Sequence, residues 1–464
     1  MRHRSGGVLE PLRRTAWRST ERWYLSQVAS VAREFETAFH AHKSSVSRYH
    51  PGVIERHLLR VAEESLRGFR VTVINGPRQS GKTTLAKQLV EGAGSYWSLD
   101  DESVRAAARL DPHGFVEQGS SPMAIDEVQR GGNDVVLAVK SILDRRNDRG
   151  QFVLAGSTRF LSVPQLSESL AGRAEILDLW PLSQGELAGV RETFLDVLLT
   201  DPDQLARRRF ELVDRRVLFD RLVMGGYPEL VGASPAQAAR WYRNYVRTVV
   251  ERDIIEASAI TQADELPKLL RLLAANTSGE TVTARLAGDA RMSADTVSRY
   301  VGLLELVGFV VRVRAWTPSL TSREKRHPKV VIADTGLACG LLGRNVDGLG
   351  TPTSPLTAPL LESFVTMELV KQRGWSDRQP TIRHWRDRNG AEVDLIVEDD
   401  SGSIAGVEVK ASSTVSPGDV KHLQGLSDKL GDRFVVGVVL YLGDRVVPLG
   451  KRIWALLVSM LWSD

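Results

Sequence analysis

Compact, largely apolar runs alternate with amphipathic segments along the first half of the chain after residue 50. The runs at 69–74, 123–125 and 152–155 have the length of strands, and apolar residues recur at helical spacing in 82–90 and 135–145. Strands that alternate with helices predict a parallel sheet with helices on both faces. The pattern therefore predicts an α/β domain in this part of the chain.

The pattern changes further along. Residues after 200 are mostly helical, and Pro352, Pro355 and Pro359 mark a linker before a helix at 360–373 and further strands. We predict five parts: an N-terminal arm (1–50), an α/β core (51–200), a helical lid or linker (201–275), a small helical unit (276–350) and a second α/β domain (356–464). The strands predicted in the last part lie near 381–386, 391–398, 404–410 and 434–442.

Composition and charge narrow the class of protein. With 42% hydrophobic and 25% charged residues, the 464-residue chain has the balance of a soluble globular protein. Its 61 basic and 57 acidic side chains, net +4, exclude a polyelectrolyte. Residues 1–50 and residues 281–330 each hold nine basic and four acidic side chains, net +5. These two patches are where a nucleic-acid partner is expected, although a solvated arm is the simpler interpretation of 1–50.

Further features of the sequence argue against an intrachain disulfide, a structural zinc site, a secretory signal and a membrane span. The single cysteine, Cys339, excludes an intrachain disulfide and gives a structural zinc site little support. The N-terminal residues lack the apolar core of a secretory signal, and the apolar stretch at 453–462 is far shorter than the ~20 residues needed to span a bilayer. We therefore expect no membrane partner and a cytoplasmic location.

A nucleotide-binding motif follows the first predicted strand. The motif GxxxxGK[ST] lies between a strand and a helix, which is the context of a P-loop. Glycines permit the tight turn, so that backbone N–H groups and the positive end of the helix dipole meet the phosphates. Lys82 would reach the β- and γ-phosphates, and Thr83 would ligate Mg²⁺. The predicted ATP-binding residues are Gly76, Pro77, Arg78, Gln79, Ser80, Gly81, Lys82, Thr83 and Thr84.

Candidate catalytic residues follow the next predicted strands. Asp126 and Glu127 end the strand at 123–125, where Asp126 would hold the Mg²⁺ shell and Glu127 would polarise the attacking water. An ordinary acidic strand end is the alternative. Ser157 or Thr158, after the strand at 152–155, would orient the water. The candidates for an arginine that stabilises the transition state are Arg159 and Arg173, although loop arginines are usually solvated.

Several of these segments together resemble a known family. GPRQSGKTT, IDEVQ, LAGSTRFL, LAGRAEILDLWPLSQGEL and GGYPELV are similar to segments of a bacterial and archaeal family of AAA-type ATPases. In that family the ATPase is fused to a C-terminal domain of unknown function. The resemblance covers the chain from about residue 51 to its end. It implies an AAA core over 51–200, Mg-ATP and self-association as a homo-oligomer, but it assigns no biological task.

The small unit at 276–350 has the pattern of a winged helix-turn-helix. Two helices, at 282–290 and 293–304, are separated by a turn, and Thr296, Ser298 and Arg299 face away from the predicted buried stripe. The β run at 309–314 would be the wing. We expect phosphate contacts from Arg299, Arg312, Arg314 and the segment 323–326, so that DNA would bind through residues 281–330. The alternative is a module that contacts protein.

A constellation in the last domain resembles the D…ExK motif of restriction-endonuclease-like folds. Glu408 and Lys410 are two apart on one strand and share a face, Asp394 precedes them on the neighbouring strand, and Glu362 lies on the preceding helix. Asp394, Glu408 and Glu362 would hold Mg²⁺, and Lys410 would orient or deprotonate the nucleophile. Val393 stands where the motif has proline, and such folds also occur as inactive remnants. His384 could reach the site but is expected to be structural.

Three functions are consistent with these patterns. The first is an AAA ATPase that couples ATP to DNA binding or processing, with a nuclease-like C-terminal domain. The second is an ATP-controlled protein-interaction switch in which the nuclease-like domain is inactive. The third, a small-molecule kinase built on the P-loop, is disfavoured by the acidic strand end and the additional domains.

Overall fold

The computed structural model describes residues 52–156, 170–250, 265–319, 323, 326–351 and 353–463. The predicted arm at 1–50 and the candidates Ser157, Thr158 and Arg159 lie outside the described residues. The chain from Arg56 to Asp464 forms one compact unit. No described helix is long and apolar enough to cross a membrane.

A five-stranded parallel sheet forms the first part of this unit. Its order is β2-β3-β4-β1-β5, and every neighbouring pair is parallel. The strands are β1 (Val71–Asn75), β2 (Ser95–Ser98), β3 (Met123–Asp126), β4 (Phe152–Ala155) and β5 (Ala174–Asp178). The helices are α1 (Leu58–Gly68), α2 (Lys82–Val90), α3 (Glu102–Leu110), α4 (Pro112–Glu117) and α5 (Gly132–Arg145). Because the strands are parallel, their carboxyl ends meet at one edge, where the P-loop begins.

Helices dominate the middle of the chain. They are α6 (Gln184–Ala188), α7 (Phe194–Thr200), α8 (Pro202–Arg207), α9 (Arg215–Met224), α10 (Pro235–Val249), α11 (Glu265–Ala275), α12 (Thr283–Ala290) and α13 (Ala294–Leu306). An antiparallel pair follows, β6 (Val310–Val313) and β7 (Lys329–Ile332), and Glu280 forms an isolated bridge to Lys329. The region ends with α14 (Thr335–Leu342) and α15 (Val346–Gly350).

The C-terminal part contains a mixed six-stranded sheet of order β12-β13-β11-β10-β9-β8. Its elements are α16 (Thr357–Arg373), β8 (Thr381–Arg386), β9 (Glu392–Glu398), β10 (Ile404–Lys410), α17 (Pro417–Leu430), β11 (Phe434–Tyr441), β12 (Val447–Pro448) and β13 (Ile453–Leu457). Strands β8, β9 and β10 are antiparallel neighbours, whereas β11 pairs with β10 in parallel. The α/β fold class is confirmed. The sequence analysis did not predict β12 and β13, which depend on pairing with β11 and with each other.

The hydrophobic core crosses the predicted divisions. One continuous cluster of buried side chains runs from Phe194 in α7 to Trp462 at the C-terminus, and it includes residues of the predicted parts 201–275, 276–350 and 356–464. A separate cluster, which includes Val73 of β1 and Ile125 of β3, supports the parallel sheet. The helical middle and the C-terminal domain therefore pack as one body.

Candidate nucleotide site and carboxylate cluster

The P-loop conformation depends on two glycines. Gly76 has φ of +154°, and a Cβ there would lie 2.2 Å from the carbonyl oxygen of Leu179. Gly81, which precedes α2, has φ of +99°. Gln79 also lies in the left-handed region, with φ of +61°. Such backbone turns the N–H groups of successive residues inward, which is how an anion-binding loop is built.

Lys82, Thr83 and Asp126 meet at the carboxyl edge of the sheet. The buried Lys82 Nζ donates to the carbonyl oxygens of Gly76 (3.1 Å) and Pro77 (2.7 Å). Thr83 Oγ1 donates to Asp126 Oδ2 at 2.6 Å. Thr83, the predicted Mg²⁺ ligand on α2, is therefore hydrogen-bonded to the residue that ends β3. The two motifs, 43 residues apart in sequence, form one site.

Glu127 stands beside this pair. Its backbone has φ of +51°, a conformation that L side chains rarely adopt and that is often found at functional sites. Burial raises the pKa of the Glu127 carboxyl, and Asp126 raises it further. The positive charges of Lys82 and Arg78 offset part of this rise in pKa. Gln129 Nε2 donates to Glu127 Oε2. A half-buried carboxylate held in this way is suited to accept a proton from a water molecule.

Residues outside the motifs close the site. A cavity of about 560 Å³ is lined by the P-loop and Glu127 on one side and by Pro228, Glu229 and part of α10 on the other. On α10, the rings of Trp241 and Tyr245 stack with centroids 4.7 Å apart. Tyr245 also donates from its hydroxyl to the carbonyl oxygen of Arg78, at 2.9 Å. The predicted lid region at 201–275 thus supplies a wall of the nucleotide cavity.

Two supporting residues were missed by sequence reasoning. The buried Arg56 donates to the carbonyl oxygens of Ser80 and Trp180, both at 2.6 Å, and pairs with Glu186 at 2.9 Å. Tyr96 on β2 donates to Asp126 Oδ2 at 2.9 Å. Neither residue belongs to a local motif, because its partners are 24 to 130 residues away. Tyr96 reaches Asp126 because β2 pairs with β3, and this pairing is seen only in the folded chain.

The residues present fit Mg-ATP. Ser80 Oγ is buried and has no hydrogen-bond partner among the described residues, so a loop polar atom is left for a ligand. The glycine-lined loop, the buried ammonium of Lys82 and the Thr83–Asp126 pair are the groups that a magnesium nucleotide requires. The cavity next to them holds aromatic surface for a base.

Arg173 does not lie at this site. It immediately precedes β5, where its backbone oxygen accepts from Val71 at the start of β1, and its side chain pairs with Asp144 at 2.5 Å. Five residues of strand, or about 16 Å at ~3.3 Å per residue, separate Val71 from Gly76. Parallel strands therefore place Arg173 at the opposite edge of the sheet from the P-loop of its own chain, and its role as a transition-state arginine stays a prediction.

The unit at 276–350 presents the predicted helix. In α13, Val297, Tyr300, Val301 and Leu304 are buried, whereas Ser298 and Arg299 are exposed. Three of the predicted contacts, Arg312, Arg323 and Arg326, instead have partners within the chain, and Arg326 donates to the carbonyl oxygen of Arg386. Arg312 pairs with Glu305 at 2.9 Å, and the largely buried Arg323 makes a two-pronged ion pair with Glu398, at 2.8 and 3.1 Å. For Arg323 the prediction of a DNA contact is wrong, because the guanidinium is committed to the C-terminal sheet.

The segment after β6 packs on the C-terminal sheet. Ala315 bridges to His384 of β8 in parallel, and the backbone N–H of Trp316 donates to the His384 carbonyl at 2.6 Å. The Trp316 side chain is buried in the core of that sheet. His384 is buried, with Nε2 3.1 Å from the carbonyl oxygen of His327. Burial and then Lys329 lower its pKa to about 4, so His384 is neutral and structural.

The structure brings the C-terminal candidates together. Asp394 on β9 accepts from the N–H of Val409 at 2.9 Å, and Glu408 on β10 pairs with Lys410 at 3.1 Å. Burial and Asp394 raise the pKa of Glu408 to about 8, although Lys410 offsets part of the effect. Glu362 on α16 is bound by Lys329 of β7 at 2.7 Å. Burial and Asp394 likewise raise its pKa to about 8.

Lys329 belongs to no motif in the sequence, yet it lies among these carboxylates. Its Nζ also lies 2.7 Å from Glu392 and 3.6 Å from Asp394. Among the residues that the structure describes, no group of three or more histidine, cysteine or acidic side chains is arranged to hold a metal ion. We call Glu362, Glu392, Asp394 and Glu408, with Lys329 and Lys410, the carboxylate cluster.

Three family models match successive parts of the chain. An AAA domain matches residues 68–188, a domain of unknown function (DUF8612) matches 215–347, and another (DUF4143) matches 358–461. The AAA match covers the parallel sheet and the P-loop, which supports an AAA-type ATPase. The other two models carry no assigned activity.

Two curated relatives match most of the chain. They are uncharacterized protein Rv2008c of Mycobacterium tuberculosis and uncharacterized protein Mb2031c of Mycobacterium bovis. Each is 31% identical over 348 residues, which are 75% of this chain and 71% of the relative.

Solved structures give weaker similarity. A RuvB variant of Thermotoga maritima is 20% identical, with 57% of this chain and 91% of that chain covered and a TM-score of 0.26. DnaA of Aquifex aeolicus is 14% identical, with 54% and 86% covered and the same TM-score, 0.26. Similarity at this level supports no inference about function.

Proposed function

This chain belongs to the family of AAA-domain proteins that includes the two mycobacterial relatives, and we propose that it hydrolyses ATP and couples ATP to DNA binding. One observation carries the proposal. Lys82, Thr83 and Glu127 line one cavity with the lid helix α10, and Thr83 is hydrogen-bonded to Asp126. These are the residues that bind phosphate, hold the cation and accept a proton in phosphoryl transfer to water.

Each residue has a defined task. Mg-ATP, when bound, supplies the phosphoryl group and the divalent cation. The P-loop N–H groups and Lys82 bind the phosphates, and Thr83 with Asp126 orients the cation shell. Glu127 accepts the proton of the attacking water. Trp241 and Tyr245 offer stacked aromatic surface to the base, while the Tyr245 hydroxyl joins the lid to the P-loop at Arg78.

Coupling to the rest of the chain follows from the lid. Tyr242 on the same helix donates to Asp334 at 2.8 Å, and Asp334 also accepts from Gly226 and caps α14. Asp334 directly follows Ala333, whose N–H donates to Phe309. On the opposite side, a Cβ at Gly308 would lie 3.0 Å from Pro77 of the P-loop. The unit at 276–350 therefore touches the nucleotide site at two points.

The test is ATP hydrolysis by the purified chain, with and without duplex DNA, at two salt concentrations. We expect hydrolysis that is lost in Lys82→Ala and stimulation by DNA that weakens as salt rises, because phosphate contacts release counterions. Absence of DNA binding together with absence of stimulation would overturn the coupling, while leaving the ATPase proposal to the Lys82→Ala comparison.

The DNA contact is assigned to α13. Arg299 is exposed on the face opposite the buried stripe, within the basic segment 281–330. Arg299→Ala should weaken DNA binding, and Arg149→Ala, an exposed arginine after α5, is the matched control. Equal DNA affinity of the two variants would contradict the assignment.

A second candidate function is an ATP-controlled protein-interaction switch. The specific observation in its favour is that Arg312 and Arg323 are engaged in ion pairs within the chain, which leaves a smaller basic surface than the sequence predicts. This function predicts that DNA has no effect on ATP hydrolysis and that Lys82→Ala abolishes capture of a protein partner.

Self-association stays a prediction of the resemblance to AAA-type ATPases, and light scattering of the purified chain tests it.

Magnesium-dependent cleavage by Asp394, Glu408 and Lys410 is not part of this proposal. The mixed sheet and the pairing of Glu408 with Lys410 support a nuclease-like fold. The position of Lys329, between Glu362 and Glu392, does not fit a metal site.

A further inference from the structure

Lys329 is a buried ammonium that reaches out of its own unit. It is the first residue of β7, and only 3% of its side chain is exposed. Its Nζ contacts Glu362 of α16 and Glu392 of β9, each at 2.7 Å, so that all its short contacts are with the C-terminal domain. A buried lysine costs stability unless it is paired, and these carboxylates supply the pairing.

Two lysines offset part of the negative charge of the cluster. Four carboxylates face two ammonium groups, Lys329 on the Glu362 and Glu392 side and Lys410 on the Glu408 side. Burial would lower the pKa of Lys329, but Glu362, Asp394 and Glu392 outweigh it and raise the pKa. The three carboxylates around Lys329 therefore favour its charged form.

A divalent cation does not fit beside it. Mg²⁺ binds oxygen ligands at about 2.0–2.1 Å with near-octahedral geometry, so it needs Asp394 and a neighbouring carboxylate turned toward one point. Here Glu362 and Glu392 are turned toward Lys329 Nζ, and Asp394 is 3.6 Å from the same atom. An ammonium at this position would repel a divalent ion over a few ångströms.

The surrounding backbone holds Lys329 in place. Ile332 of β7 donates to Thr277 Oγ1 at 3.1 Å, and Thr277 and Ser278 both bond to Ser363 of α16, at 2.7 and 2.9 Å. Strand β7 is thereby tied to the helix that carries Glu362. Strand β7, which carries Lys329, cannot move away from α16 without breaking these buried hydrogen bonds.

We propose that Lys329 is the resident cation of the carboxylate cluster and that it excludes a divalent metal ion from Glu362, Glu392 and Asp394. The inference rests on the nuclease-like interpretation of the C-terminal domain, and it concerns the side of the cluster formed by Glu362, Glu392 and Asp394. The cluster then serves to join the unit at 276–350 to the C-terminal sheet through a buried ion-pair network.

The experiment counts Mn²⁺ ions bound to the full chain without nucleotide, by calorimetry and electron paramagnetic resonance. Asp126→Asn is present throughout to remove the metal ligand of the P-loop site. With Lys329 intact we expect no Mn²⁺ site that depends on Asp394. Lys329→Met should gain one site, and adding Asp394→Asn should remove it.

Lys371→Met is the matched control. Lys371 is also a buried lysine, and it pairs with Glu368 at 2.7 Å. Among the described residues it forms no ion pair with a second carboxylate. Its replacement should create no Mn²⁺ site. This comparison separates release of a prepared cluster from the general effect of removing a buried ammonium.

Two results would overturn the inference. One is an Mn²⁺ site in the chain with Lys329 intact that Asp394→Asn removes. The other is a folded Lys329→Met chain that gains no such site. If Lys329→Met does not fold, the count with Lys329 intact decides: zero sites supports the inference and one Asp394-dependent site refutes it. ATP hydrolysis is scored separately, so failure of the ATPase proposal is distinguishable.

Discussion

At the scale of single residues, environment decides which acidic side chain does chemistry. Asp126 and Glu127 are adjacent in sequence, yet Asp126 Oδ2 accepts from Thr83 and Tyr96, whereas Glu127 lines the cavity and has a left-handed backbone conformation. The sequence predicted both roles from position after a strand. The neighbours of Glu127 that set its pKa are visible only in the folded chain.

Glu127→Gln should lower kcat for ATP hydrolysis by about 10²–10⁴-fold, the range for loss of a general base, because an amide cannot accept the proton. ATP binding should persist, since Lys82 and the P-loop are unchanged. Steady-state hydrolysis and equilibrium binding of labelled ATP measure the two quantities. Glu91→Gln, at the exposed end of α2, is the control. A Glu127→Gln rate near that of the control would contradict the assignment.

The pH profile of kcat should report the same residue. Burial raises the pKa of Glu127, with a further contribution from Asp126 that Lys82 and Arg78 only partly offset. A base acts when it is ionised, so activity is present above the raised pKa and is lost as pH falls through it. The acid limb should therefore lie above about 4.3, the value of an ordinary glutamate. A limb at or below that value, measured under conditions where the chain stays folded, would refute this.

At the scale of elements, tight contacts between helices depend on glycine. Helix α9 ends at Gly225, which has φ of +68°, and a Cβ there would lie 2.2 Å from Asp334 Oδ1 and 2.3 Å from the Tyr242 hydroxyl. The sequence marked the Gly-Gly-Tyr-Pro segment as a break between helices. The sequence did not reveal that this Gly-Gly segment contacts Asp334, which is also bound to Tyr242 of the lid helix, because Asp334 is more than 100 residues away.

Gly225→Ala should destabilise the fold by about 1–3 kcal/mol more than Gly232→Ala, the usual cost of overpacking. Gly232 has a similar φ of +78°, but nothing lies within 4 Å of a Cβ there, so the pair separates crowding from backbone strain. Urea denaturation followed by circular dichroism gives the free energies of unfolding. Equal losses in the two variants would show that the crowding is relieved without cost.

At the scale of the whole molecule, the predicted divisions after residue 200 do not separate independent cores. Ala315 and Trp316, which follow β6, lie against His384 of β8. Arg323 pairs with Glu398, and Lys329 enters the carboxylate cluster. The predicted wing at 309–314 contains β6, and residues that follow it connect the unit at 276–350 to the C-terminal sheet. In the same unit, helix α13 keeps Ser298 and Arg299 exposed to solvent.

Trp316→Ala should destabilise the chain by about 3–5 kcal/mol, the usual cost of removing a large buried aromatic side chain. Trp316 is 1% exposed and belongs to the core of the C-terminal sheet. Hydrogen exchange should show faster exchange in both β7 and β8, since the segment after β6 joins them. Leu110→Ala, at an 89% exposed position, is the control and should change stability by no more than about 0.5 kcal/mol. Faster exchange confined to β8 would contradict the role of the segment as a connection.

The sequence by itself determined the parallel sheet, the P-loop and the acidic end of β3. Each is a local pattern, in which the chain order of strand, loop and helix already places the chemical groups. The prediction that Glu408 and Lys410 share a face succeeded for the same reason, because alternation along a strand is local. Only the tertiary structure decided the positions of Arg56, Tyr245, Arg173 and Lys329. Their partners lie far away in sequence, and strand order and packing, which no local pattern encodes, bring them together or keep them apart.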